Sequence, residues 1–515
     1  MAKLPGAGSA LHVSGGLKLE QPGFFLAVLC CALPILLPHY PPAIDLPQHA
    51  AQVASVKAYL QGSWPFADQF ELKPFTPYWL GYGLILLLSG LTGVVWATKL
   101  VLAASAVGMV LAAARLCRVM GADPRWNWLL LLLPFGFAYQ WGFLNFYVAL
   151  PFGLWLLARV LDRGERGGWR GAFGLLLWVH FLFFAHILVA GYFCAMALLL
   201  LPARSWRTWL VQAAPILGVL PVTLAWVWGT VGVYQSGLAL TDWAISWDRL
   251  ANLLPDLVGL YGPWRPLGVV VGLMALAVPV LTGGRLLAER RRLLPLAAHL
   301  LVVLFLPSHV FGNSYTYERF AALGLVFYLL CFVPGPPPSA RRHLRLATAG
   351  AAVLALAMLG MRIVDALRFD ADTRAYSNVI AQAEPGRRML MLMIARKDES
   401  SGQPLYLHFP AWYQAENNGL VEFSFSRFGV TPLHYRDPSS SGVLIGFEWV
   451  PYSLDWTRHR GWLYDYVIVR SPTDESGPLY GISGCALVLI ASQGPWQLYG
   501  RVRPELHPDP RCSAG

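Results

Sequence analysis

The sequence predicts an α-helical, multi-span membrane protein with about 11–12 apolar segments and a C-terminal extracytoplasmic α/β domain. Hydrophobic residues make up 56% of the 515 positions, charged residues only 13%, and the chain holds 21 Trp. Apolar runs of roughly 12 to 22 residues follow one another through the first two thirds of the chain, and a more polar tail follows them.

The positive charge fits the same fold class. The formal net charge is +11, and only six of the 39 basic residues are Lys, because Arg residues cluster in short stretches between apolar runs. This arrangement is typical of the cytoplasmic loops of membrane proteins. The sequence contains no long polar, basic stretch that would bind along a phosphate backbone, so the composition argues against a nucleic-acid partner.

The apolar segments are expected to be helices, several of them shorter than the ~20 residues of a perpendicular span. Their approximate extents are 23–37, 76–91, 94–114, 126–138, 146–161, 172–183, 187–201, 210–231, 267–281, 293–306, 320–333 and 346–361.

The Arg clusters orient these segments. Successive clusters are separated by two apolar segments, so all of them can lie on the cytoplasmic side. They are Arg115/Arg118/Arg125, Arg159/Arg163/Arg166/Arg170, Arg204/Arg207, Arg285/Arg290/Arg291/Arg292 and Arg341/Arg342/Arg345.

The expected organisation follows from this orientation. Residues 1–22 form a cytoplasmic tail, and residues 23–363 form the transmembrane domain, with a first outer loop at 38–75 and a late outer loop at 307–319. Residues 364–515 form an extracytoplasmic, soluble α/β domain. The predicted location is the plasma (inner) membrane, crossed many times.

One stretch does not fit a simple count of crossings. Three apolar segments precede the Arg115 cluster, which would leave that cluster on the wrong side if Lys3 and Lys18 are cytoplasmic. Either segment 76–91 is re-entrant or interfacial, or two of the segments form one bent passage.

The first outer loop holds the leading candidates for chemistry. Asp45 and His49 lie within about one helical turn, just past the first apolar run, where an acid and an imidazole border a bilayer. Apolar residues of segment 47–61 fall on one helical face and polar residues elsewhere, as in an interfacial amphipathic helix. Asp45 precedes this segment, at a position typical of a helix-capping residue. The same carboxylate is also suited to accept a proton from a hydroxyl or to bind a divalent cation.

The end of this loop adds Glu71 and Lys73, which precede Pro74 and the aromatic pair Tyr78 and Trp79. An ammonium at this position meets a lipid phosphate or simply extends toward the membrane interface. Tyr78 and Trp79 are expected to be interfacial belt residues.

Three more candidates stand beside outer turns. His186 is the better candidate of the His180 and His186 pair, whose six-residue spacing would not put both on one face of a continuous helix. Glu318 and Arg319 enter an apolar segment directly from the late outer loop, which is costly unless they pair locally or Arg319 binds a phosphate.

The tail is expected to contain strands at 388–394, 464–470 and 486–491 within one small α/β domain. Cys485 and Cys512 fall in this polar region and are able to form a disulfide in an oxidising compartment.

Taken together, these features resemble those of the type C fold integral membrane glycosyltransferases. The shared features are an Asp in the first outer loop, Lys73-Pro before an aromatic-led apolar segment, many short spans and an exported C-terminal domain. The resemblance covers roughly residues 20 to 365 in architecture, and its motifs are short. Many relatives carry two adjacent acids in loop one, whereas His49 is the second polar group here.

The resemblance implies a transferase that passes a sugar from a polyprenyl-phosphate carrier to a glycan, lipid or protein acceptor outside the cytoplasm. Asp45 then corresponds to the base or the ligand of a divalent cation such as Mg or Mn, with His49 assisting. Lys73 corresponds to a residue that binds the carrier phosphate, and Arg319 matches a basic residue of the late outer loop. Glu71, His186 and Glu318 are further substrate-binding candidates. A lipid or glycan transporter and a noncatalytic scaffold for envelope assembly are the alternatives.

Overall fold

A computed structural model of the chain describes residues 22–163, 168–203, 205–234, 246–310, 314–335, 341–428, 430–440, 443–503 and 508. Several predictions lie outside these ranges: the cytoplasmic tail apart from Pro22, Arg166 and Arg204 of the basic clusters, part of the late outer loop, and Cys512. Cys485 is disulfide-bonded.

Helices dominate the described residues. In chain order they are α1 Pro22–Cys30, α2 Leu33–Leu36, α3 Leu46–Leu60, α4 Trp79–Thr92, α5 Val94–Val119, α6 Phe137–Trp141, α7 Leu144–Arg163, α8 Trp169–Ala185, α9 Ile187–Leu200, α10 Trp206–Leu217, α11 Leu220–Tyr234, α12 Trp247–Val258, α13 Arg265–Leu281, α14 Arg290–Phe305, α15 Leu323–Leu330, α16 Arg341–Ile380, α17 Ala411–Asn417 and α18 Ser476–Ser483.

Fewer of these helices than expected are long enough to cross a bilayer alone. Within the described residues, four helices have the necessary length and apolar character, and a fifth span results if α10 and α11, which meet at 46°, count as one passage. The four are Val94–Val119, Leu144–Asp162, Gly262–Leu281 and His343–Ile380. The other apolar helices are shorter, so they need a thinner bilayer or neighbouring helices to complete a passage.

The predicted segment 126–138 is a 3₁₀ helix rather than an α-helix over most of its length. This helix runs from Pro124 to Phe135, and its N-terminus is capped by Asp123, whose Oδ1 accepts a hydrogen bond from the Arg125 amide at 2.9 Å. At a rise of about 2.0 Å per residue, its 12 residues cover about 24 Å, which is more than an α-helix with the same number of residues covers. A short apolar run can therefore return the chain most of the way across the helical bundle.

Such a return is required because α5 and α7 run parallel. Arg115 forms an ion pair with Asp162, and a Cβ on Gly108 would lie 3.5 Å from Pro151, so positions advance in the same direction along both helices. The chain leaves α5 beside the end of α7 and must come back to the other side of the bundle before α7 starts.

The short helix α4 does not cross the bundle, because it lies along α3. Tyr82 hydrogen-bonds His49 at 2.7 Å, and the Ser89 carbonyl accepts from Lys57 at 3.1 Å. These contacts lie about two turns apart on both helices, so both ends of α4 stay beside the first loop. Segment 76–91 thus contains one 14-residue helix, Trp79–Thr92, that stays beside α3.

The strands are short except in the tail. They are β1 Phe70–Leu72, β2 Arg285–Leu286, β3 Phe332–Val333, β4 Arg388–Met393, β5 Leu420–Val421, β6 Leu433–Tyr435, β7 Tyr466–Arg470, β8 Leu487–Gln493 and β9 Trp496–Arg501. Strands β4, β7 and β8 match the three that the sequence predicts.

Five tail strands form one sheet in the order β5-β4-β7-β9-β8, with β4 parallel to β5 and β7 and with β9 antiparallel to β7 and β8. Alternate side chains of β4 separate its two faces. Met389 and Met391 join the core that the helices form, whereas Leu390 and Leu392 pack in a second core on the other face. The tail is thus packed onto the helices by one face of its sheet.

The helix α16 links the two regions without a break. It has 40 residues, about 60 Å at 1.5 Å per residue, which is twice the thickness of a bilayer core. The domain boundary that the sequence suggests, after residue 363, falls within this helix. In addition, β1 from the first loop pairs with β6 from the tail, so loop one and the tail share a small sheet.

The helix α3 is buried rather than interfacial, which overturns the amphipathic prediction. Gln48, Gln52 and Ser55 are only 1–2% exposed, and their polar atoms contact the tail instead of water. The Gln48 amide donates to the Phe423 carbonyl at 2.7 Å and accepts from the Phe425 amide at 3.2 Å. This side chain therefore bonds the tail backbone on both sides of residue 424.

A second amide repeats this arrangement one turn later. Gln52 donates to the Leu433 carbonyl at 2.5 Å and accepts from the Ser426 hydroxyl at 2.8 Å. Ser55 accepts from the Gln414 amide of α17 at 2.9 Å. Three successive turns of α3 are thus hydrogen-bonded to the tail through groups that water does not reach.

Replacing Gln52 by Leu tests this interface. Leucine has a similar size but removes the partner of the Ser426 hydroxyl and one of the two donors to the Leu433 carbonyl, so we expect a loss of roughly 1–3 kcal/mol of stability. The melting temperature in detergent should fall, whereas Gln61→Leu, at the exposed C-terminal end of α3, should leave it unchanged. Equal melting temperatures for the two variants would contradict a buried, hydrogen-bonded interface.

Candidate functional site

Asp45 is placed by backbone contacts with the segment that precedes α7. Its amide donates to the Trp141 carbonyl at 2.8 Å, and the Ile44 amide donates to the Gln140 carbonyl at 3.1 Å. Asp45 occupies the N-cap position of α3, yet its side chain makes no capping hydrogen bond. The capping interpretation was wrong, and the carboxylate is available for another contact.

That contact is with a histidine of the tail. The Nδ1 atom of His408 lies 2.8 Å from Oδ1 of Asp45, and both side chains are at least nine-tenths buried. An ionised carboxylate only accepts hydrogen bonds, so the bond assigns a proton to Nδ1. The His408 ring stacks on Phe423, with centroids 4.7 Å apart and planes at 8°.

The other ring nitrogen of His408 has no partner. Nε2 is buried and makes no hydrogen bond with any described residue. A buried polar atom without a partner is costly, and active sites are places where such atoms occur. The buried Asp45–His408 pair thus has one ring nitrogen without a hydrogen-bond partner among the described residues.

His49 lies one turn beyond Asp45 and is directed to a different partner. Its Nδ1 atom lies 2.7 Å from the Tyr82 hydroxyl, and its ring meets Phe425 edge-on at 5.1 Å. Burial, reinforced by the positive charge of Arg319, lowers the pKa of His49 to about 3. His49 is therefore a neutral imidazole at physiological pH, suited to orient groups rather than to accept a proton.

Backbone carbonyls hold Arg319 beside the Asp45–His408 pair. Nε donates to the Tyr315 carbonyl at 3.1 Å and Nη2 to the Ser314 carbonyl at 2.7 Å, while the guanidinium carbon lies 3.7 Å from the centre of the Phe143 ring. Burial lowers the pKa of Arg319 to about 10, against the opposing effects of Tyr78 and Asp45, so the group stays charged near neutral pH. Nη1 makes no hydrogen bond with a described residue and is free to bind an anion.

The carbonyl at Tyr315 is directed to Arg319 by an unusual backbone conformation. Tyr315 has φ 59°, in the left-handed region that costs a non-glycine residue of the order of 1 kcal/mol. Its ring packs on Trp141 with centroids 4.3 Å apart, which holds this turn against the segment that places Asp45.

His186 separates α8 from α9. Its backbone is extended there, with φ −169° and ψ 121°, and its Nδ1 accepts from the Leu188 amide at 3.2 Å, which leaves the ring proton on Nε2. The ring meets Tyr78 at 5.0 Å and Phe146 at 5.3 Å, both edge-on, and Phe146 also lies 5.9 Å from the Arg319 guanidinium. His186 is thus part of the same neighbourhood.

These residues form a group that we call the Asp45 cluster. Its members come from the first loop, the start of α4, the α8–α9 junction, the late outer loop and the tail. They are Asp45, His49, Tyr78, Tyr82, His186, Arg319 and His408. Four of the sequence-predicted candidates, Asp45, His49, His186 and Arg319, are brought together here.

The other candidates make different contacts. Glu71 bonds Nε2 of His434 at 2.7 Å across the β1–β6 pair, and this bond lowers the pKa of the Glu71 carboxyl. The Lys73 amide donates to the Pro432 carbonyl at 2.7 Å. Neither residue contacts Asp45, His49 or Arg319.

Glu318 also turns away from its neighbour in sequence. Its Oε1 accepts from the Ser308 hydroxyl at 2.7 Å, whereas Arg319 bonds carbonyls, so the two side chains do not serve as each other's hydrogen-bond partner. Burial raises the pKa of Glu318.

A metal ion would need ligands beyond this cluster. Among the described residues, no group of three or more His, Cys, Asp or Glu side chains is arranged to hold one. A cation at Asp45 would therefore depend on substrate oxygens, such as those of a phosphate.

Sequence reasoning missed several members of the cluster. His408 lies 363 positions after its partner Asp45, in a turn without a recognisable motif. Tyr78, expected at the membrane interface, is buried against His186, and Tyr82 resembles any aromatic residue of an apolar helix. A density of aromatic residues around His408, from Tyr406 to Trp412, was the only local signal.

Comparisons with known proteins bear on the fold. No protein-family model matches the sequence, and no curated protein matches it significantly. The structure is similar to that of the arabinofuranosyltransferase AftD from Mycobacteria, determined by single-particle cryo-electron microscopy, with a TM-score of 0.51 and 15% sequence identity. The match covers 95% of this chain and 40% of that one, so the chain spans less than half of its neighbour's length.

At this identity the likeness shows the fold alone. It supports a type C glycosyltransferase-like fold, as the sequence predicts, and together with the apolar helices it indicates a membrane protein.

Gly142 is expected to be essential for the placement of Asp45. It has φ +74°, and a Cβ there would lie 2.7 Å from the Leu46 amide nitrogen and 3.1 Å from that of Asp45. Gly142→Ala should therefore displace the start of α3 and lower stability by roughly 1–3 kcal/mol beyond the backbone strain itself. Gly93→Ala is the matched control, because Gly93 has φ +77° and open space around it. A melting temperature for Gly142→Ala no lower than that of the control would contradict the close approach.

Acidification should destabilise the protein partly through His49. Its folded-state pKa is depressed from 6.5 to about 3, so its contribution is complete above pH 6.5 and is lost progressively as the pH falls toward 3. The limit is about 1.4 kcal/mol per pH unit. Between pH 7.5 and 5.5, His49→Gln should show a smaller drop in melting temperature than the parent protein, whereas Tyr82→Phe, which keeps the buried imidazole, should not. An unchanged drop in His49→Gln would show that His49 is not held neutral.

Proposed function

We propose that this protein is a membrane glycosyltransferase that moves a sugar from a polyprenyl-phosphate carrier to a glycan, lipid or protein acceptor outside the cytoplasm. The observation that carries the proposal is the buried Asp45–His408 pair beside the charged Arg319. It supplies a proton acceptor and an anion-binding group in one cluster, within a fold similar to that of an arabinofuranosyltransferase.

In the proposed reaction, Asp45 is the general base. The acceptor hydroxyl attacks the anomeric carbon of the donor sugar while its proton passes to the carboxylate, and the bond from that carbon to the carrier phosphate oxygen breaks. His408 binds Oδ1 through Nδ1, which leaves Oδ2 for the acceptor. The neighbouring imidazole also stabilises the carboxylate in one rotamer before the acceptor binds.

Arg319 is assigned to the leaving group. The departing polyprenyl phosphate takes the bonding electron pair, and the guanidinium stabilises the charge that develops on it. The Tyr315 and Ser314 carbonyls fix Nε and Nη2, so Nη1 is the part of the group that we assign to the phosphate. His49 and His186 are proposed to position sugar hydroxyls, the latter through its Nε2 proton.

Lys73 and Glu71 take no part in the proposed reaction. Glu71 bonds His434 within the β1–β6 pair, and Lys73 bonds Pro432 directly beside it. We propose that both residues act in the attachment of the tail to loop one.

No specific observation favours a transporter. The polar groups expected inside the membrane have protein partners, since Lys99 donates to the Pro38 carbonyl at 2.6 Å and His299 pairs with the Tyr192 hydroxyl at 2.8 Å. Groups that line a transport path would instead be open to water or to the transported molecule.

Sugar transfer by an Asp45→Asn variant tests the proposal. Membranes that contain the protein are incubated with polyprenyl-phosphate arabinofuranose, the sugar in the name of the structural neighbour, and with hexose-bearing carriers, and the release of polyprenyl phosphate is measured. Loss of the base should slow release by about 10²–10⁴-fold. Asp68→Asn, an exposed acid of the same loop, should retain the parental rate.

Two results would reject the proposal. One is a rate for Asp45→Asn equal to that of Asp68→Asn. The other is a parent protein that releases no carrier phosphate from any of the donors.

A further inference from the structure

A cavity lined by two arginines and two tryptophans lies at the far ends of the helices that support the Asp45 cluster. It is formed between α5, α7 and α8 and has an accessible volume of about 390 Å³. Phe146, in the first turn of α7, borders His186, whereas Arg159 of the cavity is 13 residues further along the same helix, about 20 Å away. The cavity is therefore on the opposite side of the helical bundle from the Asp45 cluster.

Two arginines and one acid set the charge of the cavity. Arg115 forms an ion pair with Asp162 through Nη2, but its buried Nε has no hydrogen-bond partner among the described residues. Arg159 is exposed in the cavity and forms no hydrogen bond or ion pair with another described residue. The three side chains carry a net charge of +1, which matches the single negative charge of a phosphodiester.

Tryptophan rings hold the two guanidinium groups in place. The Arg115 guanidinium lies 6.0 Å from the centre of the Trp155 ring and that of Arg159 lies 5.9 Å from Trp178. Trp178 is itself fixed, because Nε1 donates to the Phe152 carbonyl at 3.1 Å. Stacking on an aromatic face leaves the edge of a guanidinium available for an anion.

A glycine makes room for this arrangement. A Cβ on Gly174 of α8 would lie 2.9 Å from Nη2 of Arg159, too close for that side chain to keep its position. The absence of a side chain at Gly174 thus lets Arg159 lie against α8 and Trp178.

We infer that this cavity binds the phosphodiester headgroup of an anionic phospholipid. Two features favour a lipid over a soluble phosphate. Arg115 and Arg159 lie near the ends of two of the helices able to span a bilayer, and Trp155 is 39% exposed within the second of these spans. Basic pockets between membrane helices are typical of the depth of lipid headgroups. The inference is independent of the proposed transferase activity.

Lipid titration of the purified, delipidated protein tests the inference. Binding of short-chain phosphatidylglycerol is compared with that of phosphatidylcholine of the same chain length and with inorganic phosphate. The parent protein should bind phosphatidylglycerol at least tenfold more tightly than either. Equal binding of phosphatidylcholine would overturn the charge argument, and full competition by inorganic phosphate would identify a soluble anion as the ligand instead.

Variants then assign the binding to the cavity. Arg159→Gln should weaken phosphatidylglycerol binding at least tenfold, whereas Arg170→Gln, which removes an exposed arginine at the same end of α8 but outside the cavity, should not. Arg159→Lys keeps the charge and should restore most of the preference, which separates a binding role from a folding defect in Arg159→Gln. Equal effects of Arg159→Gln and Arg170→Gln, or no effect of either, would overturn the proposal.

Discussion

The hydrogen bonds between α3 and the tail are the interaction on which the candidate site depends. Gln48 and Gln52 bind the chain around residues 423–433 from inside the protein, where water offers no alternative partner. Asp45 directly precedes α3, and His408 stacks on Phe423, so the same interface sets the distance between carboxylate and imidazole. Breaking it would expose buried amide and carbonyl groups as well as separate the pair, so the geometry is strongly determined.

The Asp45 cluster is consequently composite. Loop one supplies the acid, the tail supplies its partner, and the late outer loop supplies the guanidinium. None of these segments carries a complete set of groups alone. Burial gives each group a defined state: His49 is neutral and Arg319 remains charged. In the proposed reaction, the Asp45 carboxylate accepts a proton while the Arg319 cation stabilises the leaving anion.

The sequence alone identified as candidates the residues that stand out chemically. Asp45, His186 and Arg319 are polar groups beside apolar segments, where the cost of burial makes them conspicuous. The sequence did not identify residues whose partner is distant along the chain, such as His408. It also could not decide between two structures that share one sequence pattern. The polar positions of α3 repeat with the same period whether they face water or protein, so the period alone could not identify the tail as their partner. Likewise, length rules written for α-helices misjudge the 3₁₀ helix Pro124–Phe135, which covers more distance per residue.

The most direct measurement of the central claim is a double-mutant cycle on the rate of carrier-phosphate release with Asp45→Asn, His408→Gln and the double variant. If the two side chains act as one acid–base pair, their effects are strongly non-additive, and the double variant is about as slow as Asp45→Asn alone. If the effects multiply, so that the double variant shows the product of the two single losses, the groups act independently and the composite site is contradicted.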